Sequence, residues 1–127
     1  MQRSLIALAL VAVAGASVVV AAARWGGDSG QGPQEMVLED LRFVPNRLDA
    51  RVGVPLRVVL RNSGTERHDL SFPSLHMPGL AGLESILEPG ERRTVTLTFD
   101  QPGTHTFECT LPGHAAAGMT DAVYVTP

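Results

Sequence analysis

Residues 94–109 read Thr-Val-Thr-Leu-Thr-Phe-Asp-Gln-Pro-Gly-Thr-His-Thr-Phe-Glu-Cys. The first six alternate without a break, with Val95, Leu97 and Phe99 on one side and three threonines on the other. A period of two is that of a half-buried strand. Gln101-Pro102-Gly103 turns the chain, and Thr104 to Cys109 opens a second alternating run. Its inner side carries His105, Phe107 and Cys109. The same pattern recurs over Val37 to Phe43, Leu48 to Val52, Leu56 to Arg61, His68 to Phe72 and Ala122 to Val125, broken by Pro-Asn and Gly-Val-Pro. Only Leu80 to Leu87 leaves room for a short turn or helix. Seven or eight short strands in about 90 residues predict an all-β domain, a Greek-key two-sheet β-sandwich.

Upstream the chemistry changes. Met1-Gln2-Arg3 precedes a run from Leu5 to Ala23 in which 17 of 19 residues are apolar. Ala21-Ala22-Ala23 offers a small-residue cleavage site, which fits a signal peptide. The run is also long enough to span a bilayer as a helix, with Arg24-Trp25 as an interfacial anchor. Residues 1–23 are therefore expected to be a signal peptide or an N-terminal membrane-anchor helix, and both readings place the rest of the chain outside the cytoplasm. Residues 24–35 are Gly-rich and polar, the composition of a flexible linker. The folded domain is expected over 36–127.

Composition excludes several classes. The chain has 127 residues and a formal charge of −3, which argues against a nucleic-acid binder built on a basic face. Its single cysteine forbids an intrachain disulfide and a tetrathiolate zinc site.

The candidate chemistry lies in Cys109-Thr-Leu-Pro-Gly-His114-Ala-Ala-Ala-Gly-Met119. A thiolate, an imidazole and a thioether recur at five-residue intervals in a loop between two strands. A soft S/N/S set suits copper, and a trigonal His2Cys site with a weak axial Met needs one further histidine. His68 supplies it, because Leu70 and Phe72 belong to the core and His68 shares their side of its strand. Zinc accepts the same thiolate and imidazole ligands, although a thioether suits it poorly. A Cys109–His114 nucleophile pair would need an orienting group that the neighbouring sequence does not offer. His76 reads as a solvated loop residue and His105 as a packing residue.

Taken together, residues 36–127 resemble the blue (type 1) copper proteins of the cupredoxin family, the plastocyanin and azurin fold. Asn62-Ser-Gly-Thr-Glu-Arg-His68-Asp is similar to the turn before that family's first histidine ligand, and Gly103-Thr-His-Thr-Phe-Glu-Cys109 to its cysteine-bearing strand. The Cys-x4-His-x4-Met spacing is similar to that of rusticyanin and auracyanin. The resemblance implies one copper ion cycling between Cu(I) and Cu(II), with His68, Cys109 and His114 equatorial and Met119 axial. His105 and Asp121 depart from the family's usual aromatic residue and glycine.

The function so implied is a monomeric, exported one-electron carrier rather than an enzyme, either soluble in the periplasm or tethered through residues 5–23. Redox donors and acceptors would dock transiently near His114, on an apolar surface of Leu111, Pro112, Gly113 and Ala115 to Ala117, extended by Leu75, Met77, Pro78 and Leu80. The alternative is a copper-handling protein that delivers or buffers the metal for an exported oxidase, for which only His76 and Met77 are suitably placed.

Overall fold

The computed structural model describes residues 32–127, so the expected leader over 1–23 and most of the linker lie outside the described residues. Seven strands follow in order: β1 (Gln34–Glu39), β2 (Arg42–Val44), β3 (Arg47–Arg51), β4 (Leu56–Asn62), β5 (Arg92–Leu97), β6 (Gly103–Glu108) and β7 (Thr120–Thr126). A single 3-10 turn, Gly82–Ser85, occupies the segment with room for a short helix. Among the described residues there is no helix long and apolar enough to cross a membrane. β1 starts at Gln34, two residues inside the expected linker.

The strands form two sheets, one ordered β2-β1-β4-β5 and the other β3-β7-β6. β1 runs parallel to β4 and β3 parallel to β7, while the remaining pairs are antiparallel. Residues 94–109, which alternate so cleanly, are therefore not a hairpin. β5 closes the edge of the first sheet and β6 opens the edge of the second. The chain crosses the sandwich at Thr98 to Pro102.

Alternation puts Met36, Leu38, Leu56, Val58, Leu60, Val95 and Leu97 on the inner side of one sheet, and Leu48, Phe107, Val123 and Val125 on that of the other. Aromatic rings lock the two together. Phe107 meets Phe43 edge-on at 5.0 Å between centroids and Phe72 at 5.9 Å, and Phe72 meets Phe99 at 5.8 Å. His105 stacks on Phe99 at 5.3 Å and its Nε2 lies 2.9 Å from the Gln101 carbonyl oxygen, a packing role as its position in β6 suggests.

Two strand expectations need correction. The run Val37 to Phe43 is not one strand, because Asp40 and Leu41 turn the chain between β1 and β2, with Leu41 at φ 64°. Nor is His68 to Phe72 a strand. It makes isolated bridges, His68 to Leu87 and Ser71 to Glu108, and all five of its residues are buried. The segment passes from the margin of one sheet to the other and is covered on both sides, so its side chains cannot divide into core and solvent sets.

Phe107 stands at the centre of the aromatic contacts and is fully buried. Phe107→Ala is expected to lower the unfolding free energy by about 3–5 kcal/mol, since Phe43 and Phe72 lose their partner ring and a cavity remains. Chemical denaturation of the copper-free protein measures it.

Candidate metal centre

Cys109 ends the inward-facing row of β6, just past its last residue, and burial there is complete. From Thr110 the chain leaves the sheet and folds into successive turns. His114 N–H donates to the Leu111 carbonyl at 3.1 Å, Ala117 N–H to that of Gly113 at 3.0 Å, and Gly118 N–H to that of Ala115 at 3.0 Å. Gly113 and Gly118 take φ values of 83° and 110°, which a side chain would strain. The small residues Ala115 to Ala117 thus serve the turns. The loop ends where it began, since Met119 N–H donates to the His114 carbonyl at 3.1 Å and Cys109 N–H to the Met119 carbonyl at 3.1 Å. Met119 is buried beside both.

His68 arrives from the opposite side. Its segment is fixed by Asn62, whose side-chain amide donates to the carbonyls of Glu66 at 2.8 Å and Leu87 at 3.0 Å while its oxygen accepts from Gly64 N–H at 2.9 Å. Asn62 is fully buried at the end of β4. It converts the polar run 62–67 into a closed turn that delivers His68 inward.

The donor atoms of His68, Cys109 and His114 all lie within 4.8 Å of one another. The two Nδ1 atoms are 3.2 Å apart, and Cys109 Sγ stands 3.4 Å from His114 Nδ1 and 4.0 Å from His68 Nδ1. Separations of this size belong to atoms sharing one small ion through bonds of about 2.0–2.3 Å. The outer edges of the rings decide their tautomers. His68 Nε2 lies 3.0 Å from Asp40 Oδ1, and His114 Nε2 lies 3.2 Å from Glu66 Oε2. A carboxylate only accepts, so each Nε2 carries the proton. Both Nδ1 lone pairs then point at each other and at the sulfur. Three electron-rich atoms converging in a buried place repel one another unless a cation joins them, so the donor set fits a bound metal.

Electrostatics around the thiol pull in two directions. Burial pushes the Cys109 thiol up from its ordinary range, while backbone N–H groups of Asp69 and Leu111 that donate to the sulfur act against it. Asp40 is held down at about 2, first by the hydrogen bond from His68 and then by those from Thr65. Asp121, a departure from the family pattern, sits in β7 opposite Phe107, and burial raises its carboxyl.

The structure thus brings together His68, Cys109 and His114, and sets Met119 next to them through its backbone bonds. Asp40 escaped sequence reading, and Asn62, Glu66 and Asp69, quoted there only as part of the turn around His68, were given no role of their own. Asp69 is the least expected, because alternation would have turned it outward. It is fully buried and accepts from Thr110 N–H at 2.6 Å, Ser85 Oγ at 2.9 Å, Ser71 Oγ at 3.2 Å and the Thr110 hydroxyl. The one available signal was its place between His68 and Leu70.

The surface near His114 also differs from the expected apolar face. Pro112, Gly113, Ala116 and Ala117 are exposed, but Met77 and Leu80 are buried in the core and cannot extend it. The cleft beside the His114 ring is rimmed by Glu66, Arg67 and Glu88 as well as by Leu111 and Pro112. His76 is exposed, as expected.

The sequence model of the cupredoxin-like domain family matches residues 5–120. The chain belongs to the cupredoxin family. Copper is accordingly its metal, which the donor set suits and which displaces zinc. Among curated relatives, the copper-resistant cuproprotein CopI of Pseudomonas aeruginosa is 24% identical over 136 residues, covering 73% of this chain and 75% of that protein. Auracyanin-B of Chloroflexus aurantiacus is 38% identical over 58 residues, 46% of this chain but only 25% of that one. Two solved structures share the fold. Auracyanin from Roseiflexus castenholzii has a TM-score of 0.63 at 22% identity, covering 76% of this chain and all of the other. A multicopper oxidase has a TM-score of 0.63 at 24% identity, and there the cupredoxin covers 42% of the larger chain.

Asn62→Ala would leave two carbonyls and one N–H without their buried partner. The copper-free cupredoxin is expected to lose about 1–3 kcal/mol of stability, read by denaturant titration, and the substituted protein to release copper faster to a chelator because the turn that presents His68 loosens.

Proposed function

We propose that this cupredoxin is an exported one-electron carrier in which His68, Cys109 and His114 would hold one copper ion, with Met119 as a further, weaker ligand. The observation that supports this most is the burial and cross-bracing of the donor set. His68 and Cys109 are fully buried, and Asp69 ties the segment carrying one to the segment following the other. Copper when bound supplies exchange of a single electron between Cu(I) and Cu(II). The protein's part is to keep the same donors in the same places in both states, shut out water, and bring one ring edge to the surface.

His114 is that edge, with a side chain 12% exposed at the rim of the cleft. Partners are proposed to dock there transiently, over the small apolar loop and the charges of Glu66, Arg67 and Glu88. Encounters of this kind bury little area, below about 1,200 Å².

A copper-handling role is the second reading, favoured by the relation to a copper-resistant cuproprotein over 73% of the chain. The two readings part on exchange. A carrier keeps its metal through repeated reduction and reoxidation, whereas a handler passes Cu(I) to a copper-free acceptor protein. Loss of copper to such an acceptor within one redox cycle would overturn the carrier reading.

Three substitutions test the assignment. Cys109→Ser is expected to abolish the strong visible absorption that thiolate-to-Cu(II) charge transfer gives, with the β-sheet circular dichroism unchanged. Met119→Gln is expected to keep copper bound and lower the reduction potential, measured by voltammetry, because the axial ligand tunes it. Ala116→Glu, on the exposed loop, is expected to leave the spectrum intact and slow electron self-exchange.

A further inference from the structure

Asp40 lies 28 residues before His68, in the turn between β1 and β2, and reaches the outer nitrogen of that histidine at 3.0 Å. The contact is built rather than incidental. Asp40 Oδ1 also accepts from Thr65 N–H at 2.9 Å, and Oδ2 from the Thr65 hydroxyl at 2.9 Å, so both oxygens are held. Gly64 makes room for the pair. A Cβ at that position would stand 2.2 Å from Asp40 Oδ1 and 2.8 Å from His68 Nε2. Gly64 does not occupy the left-handed region, so what its lack of a side chain provides is space rather than backbone freedom. The imidazole itself is fully buried, whereas the Asp40 side chain is 46% exposed.

We propose that Asp40 is a positioning residue of the copper centre, which locks His68 with its proton on Nε2 and its Nδ1 toward the metal, and whose negative charge favours Cu(II) over Cu(I). The inference rests on His68 being a copper ligand, as proposed above. A carboxylate behind a metal-bound imidazole fixes the ring's tautomer and orientation and raises its basicity. The added donation, and the attraction of a nearby anion for the more highly charged ion, both help the oxidised state. Burial of the centre acts the other way, because a water-poor setting penalises the more highly charged ion and helps the reduced state. The potential of the centre is set between these two influences, and Asp40 is the one that substitution can remove without touching a ligand. Glu66 faces His114 in a similar way, but its side chain is 66% exposed and belongs to the docking rim, so its hold on the ring is open to solvent.

Asp40→Asn separates charge from anchoring. The Asn carbonyl oxygen can accept the bonds from His68 and Thr65 N–H that Oδ1 accepts now, and its amide can donate to the Thr65 hydroxyl. In the full-length copper-loaded protein this variant is expected to keep the visible band. Its preference for Cu(II) over Cu(I) should fall about tenfold, which for one electron is a rise in potential of about 59 mV. Asp40→Ala removes the anchor as well. It should raise the potential in the same direction, lower Cu(II) affinity by about 10- to 100-fold, and shift the ring nitrogen-15 resonances of His68 in the Cu(I) protein. Gly64→Ala removes no polar atom, yet should also raise the potential by driving Asp40 from the ring. Thermal melts of the copper-free variants show whether each is folded. A blue wild type together with an Asp40→Asn variant whose potential is unchanged overturns this inference alone. A wild type with no blue band overturns the ligand assignment, and this inference with it.

Discussion

The carboxylate of Asp69 holds together three segments that lie outside the strands of both sheets. It accepts from Thr110 just beyond Cys109, from Ser71 in its own segment, and from Ser85 in the 3-10 turn. Burying a carboxylate is costly unless donors replace its hydration. Here four donors do so, and every one of them belongs to a loop at one end of the sandwich. The cost makes the arrangement specific, because any displacement of the loops leaves a buried anion without partners. Cys109 and His68 keep their distance because their neighbours share that one group.

The rest of the centre is arranged around it in layers of decreasing rigidity. The sandwich, locked by Phe43, Phe72, Phe99 and Phe107, supplies a fixed floor. Asn62 closes the turn that presents His68, and turns at Gly113 and Gly118 close the loop that presents His114 and Met119. Outermost lie Asp40 and Glu66, one carboxylate behind each imidazole. This order suits the one-electron exchange proposed above: the inner atoms are buried and cross-linked, while the ring edge of His114, its rim and the Asp40 carboxylate meet the solvent.

Likeness to auracyanin and to part of a multicopper oxidase extends to the fold, since both structures are less than 25% identical to this chain. What distinguishes this cupredoxin lies in its own residues. Charges at Glu66, Arg67 and Glu88 interrupt the apolar face that the loop Leu111 to Ala117 would otherwise make. On the docking proposed near His114, such a rim would steer encounter and select partners more than add affinity.

Local pattern was enough to determine the all-β class, the strands β3 to β7 within a residue or two, and the loop that brings His114 back to Cys109, whereas the inward turn of His68 was inferred from a strand that the structure does not form. Alternation reports burial directly, and a Cys-x4-His-x4-Met loop confines three ligand types to one short stretch. Tertiary structure alone decided that Thr94 to Cys109 divides between two sheets, because strand pairing depends on partners distant in the chain. It alone buried Asp69, against its alternation and its charge, since the donors that permit this come from residues 71, 85 and 110. It also placed Asp40 behind His68. A carboxylate in a turn is ordinarily a solvated group, and only the approach of β4's far end, with a glycine at position 64 to admit it, turns it into part of a metal centre.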